Sequence, residues 1–479
     1  MIRKNLPFVL LTLGMFVLLL VPFLVQHGMF MDGTQYACVA RNMAVGKGSF
    51  WQPCFSDTWW KSYSGVFLEQ PPLGIWLQSL FFGVLGEGLW VERVYGFLMA
   101  GMNALFIILI WRLVFKNQPN FRSFYWIAVL FWICIPVCFW SFRNNMLENT
   151  MSLFTLAATY FALRTVLLHG FTAVHLLASG LCVFLATLTK GLPGLFPLVV
   201  VPVYCLLFRP MGWRKALLYA AALLVVPLAC YLLLLLNGEA AHSLHFYVFG
   251  RLLGRIGEEP TTTHRLDTLF RMFTELLPTL ITVFVVFVVS RLSGQKTFSE
   301  KPLPRLGTFF VIMGLAASLP LMLTLVQKGF YFVPALPMFA LGLAIFVVKA
   351  VGGFVDKMNI HHYKYKVFLG GSVAVVCATL VVSASKIGGL ARDEAVLHDV
   401  FLFGRILPKG CMAKVDKNVY DAWGFQCYMN RYYGISLGMS DKFQTTYWIK
   451  TKNNSPADTL GLKKVDLPTQ VYDLYVIKP

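Results

Sequence analysis

Apolar runs of about 17–25 residues recur along the chain, each long enough as a helix to cross a roughly 30 Å hydrocarbon core. Eleven such spans can be read, near 6–26, 91–115, 124–141, 147–166, 173–189, 192–208, 216–236, 275–290, 307–326, 330–348 and 367–385. Between the first two spans the pattern changes. Tyr36, Val39, Ala40 and Met43 recur at helical spacing, with Gln35, Arg41 and Asn42 elsewhere on the wheel. That pattern predicts an amphipathic helix lying in the membrane interface. Residues 72–85 predict a second short helix, opened by a proline pair. After the last span, segments 411–416, 445–450 and 470–477 read as strands and 420–433 as a helix. The expected fold class is an α-helical polytopic membrane protein over 1–385, with long loops at 27–90 and 237–274, plus a small α/β domain over 386–479.

Composition agrees with this reading. Hydrophobic residues make up 57% of the chain, charged residues only 13%, and the mean hydropathy is +0.66, values foreign to a soluble domain. The net charge of +19 sits mostly in alternate loops, such as Arg3 and Lys4, Arg209, Arg214 and Lys215, and Lys357, Lys364 and Lys366. By the positive-inside rule those loops are cytoplasmic. The N-terminus is then inside, and the loops 27–90 and 237–274 and the domain 386–479 lie on the extracytoplasmic side, most readily of a bacterial plasma membrane. No basic face gathers on a soluble segment, so nucleic acid is not an expected partner. The first span lacks a small-residue cleavage site and reads as an anchor. Six of the ten cysteines lie in spans. The other four group by segment, Cys38 with Cys54 and Cys411 with Cys427, and two disulfides there would fit an oxidising compartment.

Two isolated carboxylates, Asp32 and Glu69, stand in the first long loop. Carboxylates held against a bilayer are costly and usually functional. Asp32 suits an N-cap for the helix that follows, with Gln35 at the N3 position, and it equally suits a general base. Glu69 precedes the stiff pair Pro71-Pro72. It reads either as a cap for the second helix or as a ligand to substrate or metal. The loop 237–274 and its border carry Arg251, Arg255, Glu258, Glu259, His264, Arg265, Asp267, Arg271 and Glu275. Such a density of Arg suggests a site for an anionic head group. Arg143 and Glu148 flank the start of the fourth span, as a local salt bridge or as part of a site.

The segment from Glu69 to Leu77, Glu-Gln-Pro-Pro-Leu-Gly-Ile-Trp-Leu, resembles the E-x-P-P-L-x-Y-W-L signature of the integral-membrane GT-C glycosyltransferases. These include the protein O-mannosyltransferases and the lipid A aminoarabinose transferase. Other pieces match in order. Glu92-Arg93-Val94 resembles the family's A-x-R-L-P, and Met146-Leu147-Glu148-Asn149 its L-D-x block. Leu188-Thr189-Lys190-Gly191 is similar to its L-T-K-G, and the run from Gln327 to Pro337 to its K-x-x-Y-x-L-P-x-x-P. The chain departs from the pattern at Gly33, where relatives often carry Glu after the Asp. It also departs at Gln35 and Gln70, where aminoarabinose-type enzymes tend to be basic, and at Glu148, where Asp is usual.

The resemblance implies a GT-C fold and transfer of a sugar, with inversion, from a polyprenyl-phosphate carrier to a lipid, glycan or protein acceptor outside the membrane. Asp32 matches the catalytic aspartate and Glu69 the acidic residue before Pro-Pro, and both are expected catalytic residues. Lys190, Arg251, Arg255, Arg143, Glu148, Gln70, Gln35, Lys328 and Tyr331 are the expected substrate- and phosphate-binding residues. Glu69 and His264 are the expected ligands of a divalent metal. The donor is already activated, so no nucleotide or organic cofactor is expected, and membrane lipids are the remaining partners. A transporter or flippase of lipid-linked sugars is the main alternative, but such proteins place charges near the bilayer midplane, whereas most here lie in loops. A scaffold would leave Asp32 and Glu69 with no role beyond capping.

Overall fold

The computed structural model describes residues 2–58, 65–168, 170–254, 261–294, 302–439, 445–452 and 461–477. Among these, nine helices are long and apolar enough to cross a membrane, and they coincide with nine of the eleven expected spans. Proline accounts for the other two. The span expected at 124–141 is a pair, Pro119–Ile133 and Pro136–Arg143, bent by 76°. Pro136 has no N–H to donate and disfavours helical geometry at Ile135. The second half starts afresh, and the carboxylate of Glu275 accepts the Val137 N–H at 2.7 Å. The span expected at 192–208 is a 3₁₀ turn, Leu192–Val199, running into a short helix, Val200–Phe208. Its prolines, Pro193, Pro197 and Pro202, remove donors at intervals too close for one long α-helix. The exposed faces of the spanning helices are apolar: Leu224, Val225, Leu228 and Leu232 on Trp213–Leu234, and Phe273 and Phe284 on Asp267–Leu292. Lipid tails would cover such surfaces.

Packing divides the chain into two units. One comprises Met1–Pro22, Gly96–Arg143 and Leu147–Lys386 and holds most of the spans. The other comprises Phe23–Tyr95, Asn144–Met146 and Ile387–Pro479, which groups the first long loop with the C-terminal residues. After helix α1 (Ile2–Leu24) the second unit contains α2 (Met31–Ala44) and α3 (Leu73–Leu85) and the start of α4 (Val91–Val114).

The C-terminal residues form a five-stranded sheet: β1 Met412–Val415, β2 Ser436–Gly438, β3 Tyr447–Thr451, β4 Leu462–Lys464 and β5 Tyr472–Ile477, in the order β2-β1-β3-β5-β4. β1 runs parallel to β2 and β3, and β5 is antiparallel to β3 and β4. One face packs Ala413, Val415, Ile449 and Leu474 against Leu397, Val400 and Phe403 of the helix Glu394–Ile406 and against the terminal helix, Trp423–Tyr433. Asp399, fully buried, accepts the backbone N–H groups of Gln470, Val471 and Tyr472 at 2.7–2.9 Å, which fixes this helix to the last strand. The three expected strands match β1, β3 and β5. The expected helix 420–433 is interrupted, so that Lys417–Tyr420 and Trp423–Tyr433 are separate.

All ten cysteines are free thiols, so neither disulfide grouping forms. Cys38 instead donates to Asn430 Oδ1 at 3.0 Å, and burial pushes its thiol up to about 12. Burial likewise raises Cys427 well above the usual thiol range. Both sulfurs are held as neutral, apolar-packed groups.

Candidate functional site

Asp32 does not cap α2. The Thr34 N–H closes the first turn on the Phe30 carbonyl at 3.2 Å. The N-cap position is therefore Phe30, which offers no side-chain bond, and Asp32 is the second residue of the helix. Its carboxylate lies in the first turn of the helix, at the positive end of the helix dipole. It is half-buried, and no described residue makes a hydrogen bond or ion pair to it. Next to it, a Cβ on Gly33 would stand 1.8 Å from the Asn144 carbonyl oxygen. No side chain fits there, which is the physical reason for the departure from Asp-Glu.

The Asn144–Met146 turn clamps this end of α2. Asn144 Oδ1 accepts the Phe30 N–H at 2.7 Å. Asn145, in left-handed geometry at φ 52°, donates to the Gly33 carbonyl at 3.1 Å and accepts from Gln78 of α3 at 2.6 Å. Sequence reasoning passed over both asparagines. Their one local signal was a tandem of residues that tolerate the left-handed region directly before a helix.

The chain reaches α2 along a short pairing with the C-terminal residues. The His27 N–H donates to Gly389 and the Ala391 N–H to His27, at 2.8 and 2.9 Å. Arg93 then donates to the Gly28 carbonyl at 2.9 Å. Burial, helped by the Arg93 charge, holds the His27 imidazole below its usual range. A depressed histidine contributes stability above its unfolded pKa of ~6.5 that is lost as pH falls, because the unfolded chain then binds more protons. Acidification from pH 7.5 to 5.5 is therefore expected to lower the melting temperature. His27→Gln should flatten that dependence in paired thermal melts, and an unchanged slope would reject the assignment.

Glu69 is half-buried in the turn ahead of α3, with Gln70 beside it. Pro72 occupies the N-cap position, so Glu69 is not the N-cap residue of this helix. The proline pair sets the turn in which the Glu69 carboxylate stands.

In the spanning unit the structure brings together Glu148 and Lys190. Glu148 stands in the first turn of Leu147–Leu167 and Lys190 ends Thr172–Lys190, each at the helix end whose dipole suits its charge. Lys190 Nζ lies 3.3 Å from Glu148 Oε1, with both side chains at least nine-tenths buried. Gly191 follows at φ 84°, where a Cβ would meet the Tyr247 hydroxyl at 2.0 Å. That hydroxyl reaches the Lys190 carbonyl at 3.4 Å. Tyr247 and Arg251 share a π-helical turn, Phe246–Leu252, a geometry common at functional sites. Arg143 donates to the Leu19 carbonyl at 2.5 Å and lies over the Phe139 ring.

A separate cavity of about 320 Å³ opens beside the start of Asp267–Leu292. Its lining includes Arg271, Lys328, Gln327 and Thr268. Gln327 Oε1 accepts both the N–H and the hydroxyl of Thr268, at 2.9 and 2.5 Å. Arg271 lies directly on Gly329, where a Cβ would stand 2.1 Å from Nε. The missing side chain is what lets the guanidinium sit beside Lys328. Sequence reasoning placed Arg271 in a charged loop without a specific role. Tyr331 is half-buried one turn beyond, its N–H bonded to the Lys328 carbonyl. His264 is exposed. Arg255, Glu258 and Glu259 lie outside the described residues. Among the described residues no group of three or more His, Cys, Asp or Glu side chains gathers as a metal centre would require. Glu69 and His264 belong to different units. No step below passes through a metal.

The model of the dolichyl-phosphate-mannose-protein mannosyltransferase family matches residues 69–235, from Glu69 through Lys190. No curated protein sequence matches the chain. Among solved structures, the ArnT of Cupriavidus metallidurans bound to undecaprenyl phosphate is similar with a TM-score of 0.65 and 15% identity, over 98% of this chain and 97% of that one. The Archaeoglobus fulgidus oligosaccharyltransferase in complex with Zn and sulfate is similar with a TM-score of 0.51 and 13% identity, over 93% of this chain and 68% of that one. At such identities the likeness is one of fold.

Proposed function

We propose that the chain is a membrane glycosyltransferase of the GT-C type, like the protein O-mannosyltransferases whose family model it matches over residues 69–235 and the ArnT whose fold it shares, and that it moves a sugar from a polyprenyl-phosphate carrier to an acceptor on the extracytoplasmic face. The observation that carries the reading is Asp32: a half-buried carboxylate in a clamped helical turn, with no described partner for its charge. Asp32 takes the proton of the acceptor hydroxyl. The oxygen attacks the anomeric carbon as the bond to the phosphate oxygen breaks, inverting that carbon, and polyprenyl phosphate leaves with the bonding electrons. Glu69 binds the sugar hydroxyls.

The departing phosphate calls for cations. Within the spanning unit, Arg271 and Lys328 line one cavity with Asp267 and the Thr268–Gln327 pair, and the two cations are our candidates for holding a phosphate ester. Lys190 and Arg251 add charge near the Tyr247 turn, with Arg143 and Glu148 at the border of the spans. Gln35 and Gln70 supply neutral hydrogen bonds where aminoarabinose-type relatives tend to be basic. That favours an acceptor and sugar other than lipid A and aminoarabinose.

Purified full-length protein, offered a panel of polyprenyl-phosphate sugars with glycolipid, glycan and peptide acceptors, is expected to release polyprenyl phosphate from one donor. Replacing both Arg271 and Lys328 by Gln should weaken polyprenyl-phosphate binding by about tenfold or more, since a charge-assisted hydrogen bond contributes ~1.5–3 kcal/mol. Movement of intact lipid-linked sugar between leaflets without release of the phosphate would replace the transferase reading with a flippase.

A further inference from the structure

The terminal helix Trp423–Tyr433 touches the first long loop at four places with four different contacts. The Tyr428 hydroxyl donates to the Met29 carbonyl at 2.7 Å and accepts the Met29 N–H at 2.9 Å, so both backbone groups of the residue before the α2 cap end on one phenol. Asn430 Oδ1 accepts from the Cys38 thiol in the middle of α2, and Asn430 Nδ2 donates to the Phe55 carbonyl at 3.0 Å. Asn42 of α2 donates to the same Phe55 carbonyl at 2.8 Å. Arg431, with no exposed side-chain surface, lies over the Phe82 ring of α3 and bonds the Gly88 carbonyl at 2.7 Å and the Glu92 carboxylate at 2.6 Å. Cys427 packs close enough to α2 for the Asp32 charge to be felt at its buried thiol. One turn and a half of helix thus holds the entry of α2, its middle, the far end of α3 and the start of α4.

The two carboxylates of the proposed site ride on these elements, Asp32 in the first turn of α2 and Glu69 in the turn that opens α3. How α2 and α3 are held as bodies therefore bears directly on where both carboxylates stand. We infer that Tyr428, Asn430 and Arg431 are positioning residues of the transferase, and that the C-terminal domain frames the reaction rather than serving as a separate binding module. The inference rests on the reading of Asp32 and Glu69 above. Its physical basis is that a displacement of about 1 Å at a reacting group can lower a rate by ~10²-fold.

Three variants test it in the full-length protein: Tyr428→Phe, Asn430→Leu, and the double replacement Glu92→Met with Arg431→Met. The double change exchanges a buried ion pair for apolar side chains, which is often neutral for stability. Donor turnover, donor KM, melting temperature and amide hydrogen exchange are measured together. The expected result is a kcat about 10- to 100-fold below wild type with donor KM nearly unchanged. Faster exchange should be confined to residues 29–45 and 65–88, with a melting temperature close to wild type. Variants that keep wild-type kcat and wild-type exchange in these segments would overturn the inference, as would a uniform rise of exchange across the chain with a lowered melting temperature. If wild-type protein turns over no donor at all, the transferase reading fails on its own. The exchange pattern then decides the framing role by itself, confined acceleration supporting it and unchanged exchange rejecting it.

Discussion

Asp32→Asn is expected to lower sugar transfer by about 10²- to 10⁴-fold, the range over which a positioned general base contributes. Asparagine has nearly the same shape, and the carboxylate has no described partner to lose, so the fold has little reason to respond. Melting temperature and polyprenyl-phosphate binding should stay near wild type. The substitution thus removes a proton acceptor and a negative charge and little else. Asp32→Glu keeps the base but moves it by a methylene on a helical turn that cannot shift to compensate, because Gly33 rests against the Asn144 carbonyl. Its turnover should fall between wild type and Asp32→Asn. Full activity in Asp32→Asn would exclude Asp32 as the base and leave Glu69 as the carboxylate of the first loop to test next.

The legible and illegible parts of this protein divide along physical lines. Spanning helices are a matter of length and apolarity, and nine of eleven were plain in the sequence. The two that differ, at 124–141 and 192–208, contain proline where the apolar pattern continues, and hydropathy does not register a missing N–H. Short edge strands such as Ser436–Gly438 and Leu462–Lys464 have too few residues for any period to show. The helix Glu394–Ile406 did carry a readable signal in Leu397, Val400 and Phe403. Asp32, Glu69 and Lys190 stood out because charge beside a membrane is rare. Asn144, Asn145, Tyr428 and Arg431 did not, since their importance lies in contacts with residues up to several hundred positions away. The capping roles considered for Asp32 and Glu69 depended on a shift of two or three residues in where a helix begins, a difference that propensity does not resolve.

Lys190 was singled out as a phosphate binder, yet its ammonium lies against Glu148 in surroundings where both side chains are at least nine-tenths buried. The two roles predict different behaviour. Lys190→Met withdraws the cation from a buried carboxylate, and breaking such a pair costs about 3–5 kcal/mol. A marked loss of melting temperature and of folded yield in detergent is therefore expected. Adding Glu148→Leu removes the stranded charge and should restore most of that stability, because a well-packed apolar pair of similar volume is often as stable as the ion pair it replaces. Turnover then separates architecture from chemistry. The rescued double variant is expected to fold and still transfer sugar at least tenfold slowly, because an apolar pair offers nothing to the charge that develops on the leaving phosphate. Full recovery of turnover together with stability would assign Lys190 and Glu148 to holding two helices together, and would move the burden of the leaving group to Arg251 and to the Arg271–Lys328 cavity.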